Sequence, residues 1–342
     1  MAGDRRPRLT LAMREELPAG LLTEAHWERL ARVVEMPTRR PFCSFDSPEA
    51  TEALRDTEII LAGWGCPVID RSVLERAPRL RLIAYAAASV KYFVTAEMWA
   101  RGVVVTSAHA PMAIPVAEFT LAAILFCGKD TFRFISEHRA SRGRKGTDTK
   151  ASWDNPRIGN FGKRIGIVGA SRIGRMVIEK LRHFDMIVRV YDPFLTEADA
   201  SALGVERAEL LDLMGWSDIV SLHAPAVSST RHMIGAAELA AMRDGSTLIN
   251  TARGWLLDHD ALARELASRR LRAFIDTPLP DPLPPESPFY DLDDVVLTPH
   301  LAGAQGNELW RMASLEVEEI ERFVAGLPPL HPVLEADLDR TA

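Results

Sequence analysis

The feature that most constrains this chain is an alternation, sustained almost end to end, of short apolar runs with stretches of helical period. Strands are expected at Glu58–Leu61, Leu80–Ala84, Val103–Thr106, Arg164–Val168, Met186–Tyr191, Asp218–Leu222, Thr247–Ile249, Arg272–Ile275 and Val295–Leu297. Helical text lies between them, as in Ile173–His183, Glu209–Trp216 and Asp258–Ser268. Runs of this kind build βαβ units, hence α/β architecture with mostly parallel sheets covered by helices on both faces. The 342 residues exceed what one hydrophobic core serves, about 250–300 residues, so two domains are expected. One region breaks the rhythm. From Arg139 to Phe161 the text is polar, basic and turn-rich, with Arg142, Arg144 and Lys145, and reads as a long surface loop of functional or mobile character.

Composition narrows the partners. A net charge of −6 gives no basic face for nucleic acid or an anionic membrane. Cys43, Cys66 and Cys127 are far apart and form no CxxC pair, so neither a metal site nor a disulfide framework is indicated. Residues 1–20 carry charge throughout, without the apolar segment of a signal peptide, and no run of about 18 uninterrupted apolar residues occurs. A cytoplasmic protein without membrane or nucleic-acid partners is expected.

The strand Arg164–Val168 runs into Gly169-Ala-Ser171-Arg172-Ile173-Gly174 and then a helix. In a dinucleotide turn of the form GxGxxG, the first Gly makes the bend and the second admits the pyrophosphate. The third packs helix on strand, and the anion rests on the helix N-terminus. Ser171 replaces the middle Gly, a small residue that costs such a site little. Asp192 ends the next strand, 23 residues after Gly169, where a carboxylate can accept from both adenosine ribose hydroxyls and repel a 2′-phosphate. NAD is therefore expected rather than NADP. The competing reading of Asp192 is a turn residue before Pro193.

Reduction of a 2-oxo acid with a nicotinamide needs a cationic fork for the carboxylate, a proton donor active near neutrality, and a carboxylate to hold that donor. The C-terminal third offers one of each just past a strand end. Arg253 follows Thr247–Ile249, Asp281 lies in the proline-stiffened run after Arg272–Ile275, and His300 follows Val295–Leu297. A guanidinium can grip a carboxylate through two parallel hydrogen bonds. Each residue alone has a bland alternative as a surface arginine, a solvated aspartate or a loop histidine. Their shared placement beyond strand carboxyl ends, where open α/β sheets bind ligands, makes them candidates.

At these residues the chain resembles the D-isomer-specific 2-hydroxyacid dehydrogenase family. The matching segments are the Gly169–Gly174 turn, Asp218-Ile-Val-Ser-Leu-His-Ala-Pro225 with Thr230 and Met233, Met242–Gly254, and Thr298-Pro-His300. The resemblance implies that His300 is the acid/base, Asp281 its partner where the family has Glu, and Arg253 the binder of substrate carboxylate and carbonyl. It implies Ser171, Arg172, Ile173, Pro225, Thr251 and Ala252 along the cofactor, and Asp276 near the nicotinamide carboxamide. It further implies two Rossmann-like, doubly wound parallel-sheet domains and a homodimer. The substrate domain would be discontinuous, 1–110 with 304–342, around an NAD-binding domain of 111–303. The helix near Ala113–Phe126 would be one crossover and Asn307–Ala325 the return.

The family's Gly-rich substrate loop falls on Ala86–Tyr92, where Ala87 and Ser89 replace glycines and Lys91-Tyr92 replace Asp-Asn. Lys91, with the basic run at 139–150, suggests a substrate with a second anionic group. The expected function is an NAD-dependent enzyme interconverting a small 2-hydroxy acid and its 2-oxo acid. The alternative from another class is an NAD-sensing, corepressor-like binding protein, which need not retain Arg253, Asp281 and His300 together. A formate-type site resembles the family with an amide at the carboxylate position, and Asp281 stands against it.

Overall fold

The computed structural model describes residues 5–142 and 153–338. The chain divides into two compact units, Met1–Met112 with Ala304–Ala342, and Ala113–Gly303. Each is a parallel sheet between helices, and the first is discontinuous in sequence.

The first unit has four strands, β1 (Leu9–Ala12), β2 (Ile59–Ala62), β3 (Leu82–Tyr85) and β4 (Val104–Ser107), in the order β1-β2-β3-β4. Parallel bridges from Arg8 to Glu35 and from Ala12 to Phe42 lay the chain after β1 along its other side. With that broken edge counted, the winding turns both ways from β1, a doubly wound pattern. Strand residues alternate between two cores, as a period of two dictates. Leu9, Ile59, Leu61, Leu82 and Ala84 face one side, packed by Leu30 and by Met312, Val317 and Ile320 of the helix Leu309–Val324. Ile60, Ala62, Ile83 and Tyr85 face the other, against Leu54, Leu74 and Met98.

The second unit holds β5 (Arg164–Val168), β6 (Ile187–Tyr191), β7 (Glu206–Arg207), β8 (Ile219–Leu222), β9 (Thr247–Asn250), β10 (Arg272–Ile275) and β11 (Val295–Leu297). Their order is β11-β10-β9-β8-β5-β6-β7, all parallel, so the winding reverses between β5 and β8. The same alternation recurs. Val168, Val220, Leu222, Leu248 and Ile275 point to one core, and Ile165, Ile167, Ile219, Ile249 and Phe274 to the other. The β5 and β8 carboxyl ends, at the reversal, form the crevice where such sheets bind ligands.

Strands β1 and β7 are not among those expected, and three further details differ from the sequence expectation. The crossover helix begins earlier than Ala113 and runs His109–Gly128, long and apolar enough by composition to cross a membrane. Its Ala117, Ala123 and Ile124 are buried in the second unit's core, which accounts for the apolar character. Arg139 belongs to the helix Thr131–Ser141 rather than to a loop; Arg144 and Lys145 lie outside the described residues. The helix expected at Asn307–Ala325 is Leu309–Val324, preceded by one 3₁₀ turn at Gly306–Glu308.

Candidate active site

The turn after β5 is built around two glycines that nothing else replaces. Gly169 has φ +99°, and a β-carbon there would meet the Ala224 backbone nitrogen at 2.5 Å. A β-carbon on Gly174 would meet the Gly169 carbonyl oxygen at 2.1 Å. The helix Arg172–Leu181 therefore starts hard against β5 and β8, with its first N–H groups at the crevice. Ser171 is its N-cap and accepts from the Gly174 N–H at 3.3 Å, a bond that stabilises a helix start by about 1 kcal/mol. Arg172, exposed, and Ile173, half-buried, form the first turn. His223, behind this turn, is buried and bonded to the Ser221 hydroxyl at 2.9 Å, and burial pushes its pKa down to about 3. It stays neutral and is no acid/base candidate.

Asp192, at the end of β6, is clamped. One carboxylate oxygen accepts from the Ala170 N–H at 2.7 Å and the other from the Phe194 N–H at 2.8 Å. The carboxylate is thus pinned to the glycine turn, as a ribose-binding group must be. Two glycine positions that a side chain would fill, a helix N-terminus and a fixed carboxylate beside them fit an NAD dinucleotide.

Pro225 follows β8, its carbonyl accepting from the Thr230 hydroxyl at 2.6 Å. Thr251 and Ala252 follow β9. The Thr251 hydroxyl turns inward to that of Thr120, 2.7 Å away. Asn250, fully buried, ties this turn together. Its side chain donates to the Arg253 carbonyl at 3.0 Å and accepts from the Ala252 N–H at 3.1 Å. Arg253 is half-buried, and desolvation pushes its pKa down, though a guanidinium remains charged at neutral pH. Among the described residues it bonds the Ala252 carbonyl at 2.7 Å and no carboxylate.

Asp276 directly follows β10, wholly buried, and organises the turn after β11. Its oxygens accept from the Thr298 hydroxyl at 2.6 Å, the Leu301 N–H at 2.9 Å and the Ala302 N–H at 3.0 Å. These bonds occupy the carboxylate that resemblance directs to the nicotinamide. His300 rides on this turn at φ +53°, its N–H donating to the Asp276 and Thr298 carbonyls at 3.1 and 2.9 Å. Such left-handed backbone is uncommon outside glycine and is held here by the surrounding bonds. The ring is half exposed, and Nδ1 lies 2.5 Å from Asp281 Oδ2. Aspartate therefore reaches the histidine in full despite being a methylene shorter than glutamate.

The loops after β9, β10 and β11 thus carry Arg253, Asp281 and His300 from three neighbouring strands, while the dinucleotide turn leaves β5 on the same edge of the sheet. The sequence reading did not pick out Asn250, Gly254 or Thr298. A buried amide directly after an apolar strand is the one signal that pointed to Asn250.

A doubly wound sheet with this turn and a fixed carboxylate at the end of the next strand has the architecture of a dinucleotide-binding protein. Residues 125–302 match the NAD binding domain of the D-isomer specific 2-hydroxyacid dehydrogenases. A glyoxylate reductase of Korarchaeum cryptofilum is 32% identical over 283 residues, 81% of this chain and 83% of that protein. A D-3-phosphoglycerate dehydrogenase of Methanocaldococcus jannaschii is 30% identical over 283 residues, 81% of this chain but 52% of its own length. The chain thus spans about half the length of that relative. The crystal structure of apo D-mandelate dehydrogenase from Rhodotorula graminis superposes with a TM-score of 0.80 at 26% identity, covering 96% of this chain and 98% of that one. The chain belongs to the D-isomer specific 2-hydroxyacid dehydrogenase family. NAD is accordingly the cofactor of its seven-stranded unit.

Proposed function

We propose that the protein is an NAD-dependent oxidoreductase interconverting a small 2-hydroxy acid and its 2-oxo acid, with His300 as acid/base, Asp281 as its partner and Arg253 as the binder of the substrate carboxylate and carbonyl. The observation that carries this reading is the 2.5 Å contact between His300 Nδ1 and Asp281 Oδ2. Asp281 accepts the Nδ1 proton and so fixes the ring's tautomer and orientation, leaving Nε2 to exchange a proton with substrate. NAD, held by the glycine turn and Asp192, would supply or take the hydride. In reduction His300 Nε2 gives its proton to the carbonyl oxygen as the carbon gains hydride, and the carbonyl becomes an alcohol. In oxidation Nε2 takes that proton back.

Arg253 supports the substrate class. A half-buried guanidinium that meets no carboxylate among the described residues carries a desolvation cost, and a bound carboxylate, gripped through two parallel bonds, offsets it. The family relatives named above are a reductase and dehydrogenases, which lend the corepressor-like alternative no support. Asp276 serves by holding the turn that carries His300. Residues 1–110 with 304–342 form the substrate domain and 111–303 the cofactor domain, and the protein works as a cytoplasmic homodimer.

The substrate carries a second anionic group, the reading that Lys91 in the segment after β3 suggests. The relatives' names differ on this point, since glyoxylate has a carboxylate alone and 3-phosphoglycerate adds a phosphate. NADH oxidation across 2-oxo acids of graded size and charge tests both statements. Turnover of dianionic acids, reduced by Lys91→Ala more than turnover of monoanionic ones, is expected. NADH binding without turnover of any 2-oxo acid overturns the enzymatic reading; equal losses on both classes overturn the second anion.

A further inference from the structure

His259 opens the helix His259–Ala267, and both of its ring nitrogens are committed. Nδ1 lies 3.0 Å from the Leu257 carbonyl oxygen, and Nε2 accepts from the Leu279 backbone N–H at 3.1 Å. A backbone amide can only donate, so Nε2 presents its lone pair. The ring proton then sits on Nδ1 and donates to Leu257. This is the neutral imidazole in one tautomer.

The bond falls at a telling place. Leu279 stands two residues before Asp281, in a run where Pro278, Pro280 and Pro282 have no N–H at all. Among the described hydrogen bonds, that of Leu279 is the only one made by a backbone N–H between Pro278 and Leu283. On the far side the loop is tied by the Tyr290 hydroxyl donating to the Leu283 carbonyl at 3.2 Å. Between these ties lies the carboxylate that meets His300.

We infer that His259 is a positioning residue for Asp281: its neutral ring latches the Leu279 amide and so fixes the loop that presents the carboxylate to His300. This rests on the assignment of the Asp281–His300 pair made above. Protonation at Nε2 would set one N–H against another and open the latch. The groups around the ring are His232 from the turn between β8 and the helix Ala236–Ala241, the Phe289 ring in a T-shaped contact, and Asp258 and Asp260 from its own helix start. Burial is the largest influence and holds its pKa below the usual histidine value, so the latch is closed at neutral pH and opens in acid. Activity therefore acquires an acid limb that belongs to His259.

Glutamine is the discriminating variant, because its amide oxygen reaches the place of Nε2 and does not titrate. Asparagine mimics Nδ1 and leaves Leu279 unbonded. The test measures kcat/KM against pH for wild type, His259→Ala, His259→Asn and His259→Gln, with NADH and a 2-oxo acid that the wild type reduces. It adds hydrogen exchange of the Leu279 amide in the protein without cofactor or substrate. Alanine and asparagine are expected to lower kcat/KM roughly 10- to 100-fold, the scale of a misplaced catalytic group, and to speed Leu279 exchange. Glutamine restores both and removes the acid limb. The inference is overturned if glutamine fares as badly as asparagine, or if Leu279 exchange is unchanged in the asparagine variant; this comparison stands even where alanine fails to fold. A full rate in His300→Gln would instead strike the site assignment, while the exchange measurement still decides the latch.

Discussion

A β-carbon on Gly254 would lie 2.4 Å from the Pro278 carbonyl carbon and 2.6 Å from the Leu279 nitrogen. The residue after Arg253 and the residues before Asp281 are therefore in backbone contact, and the positions of the guanidinium and the carboxylate are set by one another. No real β-carbon tolerates such distances to main chain, so Gly254→Ala must push the two loops apart. Overpacking of this kind costs roughly 1–3 kcal/mol. The variant is expected to lose that much stability in urea and, because Arg253 and Asp281 separate, to lose kcat/KM as well. A wild-type unfolding midpoint together with wild-type kinetics would show that the contact constrains nothing.

His300→Gln keeps a polar side chain of similar reach but removes the group that exchanges the proton. A lost general acid/base lowers kcat by ~10²–10⁴-fold. NADH binding, followed by its fluorescence, should stay near wild type because the glycine turn and Asp192 are untouched. An unchanged kcat refutes the assignment of His300.

With the dinucleotide on the glycine turn, Asp192 is expected to discriminate between NAD and NADP, because it cannot turn away. Both of its oxygens are held, by the N–H groups of Ala170 and Phe194. A 2′-phosphate brought to the ribose would meet this fixed negative charge at close range, where repulsion between partly buried charges is strong. Asp192→Ser is expected to shift the ratio of kcat/KM for NADPH over NADH upward by about tenfold or more, equivalent to about 1.4 kcal/mol. Mutual repulsion is not the selector if the ratio stays put.

How much of this was readable before the coordinates depended on what each residue does. Strands β5, β10 and β11 have the expected bounds because each is a short, mainly apolar run, which β5 and β10 bury inside the sheet while β11 lies half-buried at its edge. Strand β1 carries a weaker signal: Leu9–Ala12 includes Thr10 and follows the charged Arg5, Arg6 and Arg8, and its strand character shows in its pairing with β2. Strand β7 is Glu206–Arg207, two charged residues on an edge, with no apolar signal to read. At the site, residue types that do chemistry were legible through the resemblance. Residues that hold them were not. That Leu279 would return to a histidine at a helix start, or that Gly254 would sit against Pro278, depends on how separate loops fold back on one another, which no local pattern encodes.

The last prediction concerns a carboxyl far in sequence from those loops. Glu316, on the helix Leu309–Val324, is wholly buried and accepts from the Thr106 hydroxyl at 2.6 Å. Burial, reinforced by the nearby Glu319, raises its pKa well above the usual glutamate value. In the unfolded chain the same group ionises near pH ~4.3. Between those two values the folded state binds the extra proton, so the contribution to stability is complete below the unfolded pKa and is lost as pH rises toward the raised one. The slope expected in that window is about 1.4 kcal/mol per pH unit. Glu316→Gln keeps an acceptor for Thr106 and has nothing to ionise, so its advantage over wild type should widen from pH 5 to pH 8. Urea unfolding at unit steps of pH reads this directly, and parallel stability curves for the two proteins would mean that Glu316 is already charged in the fold.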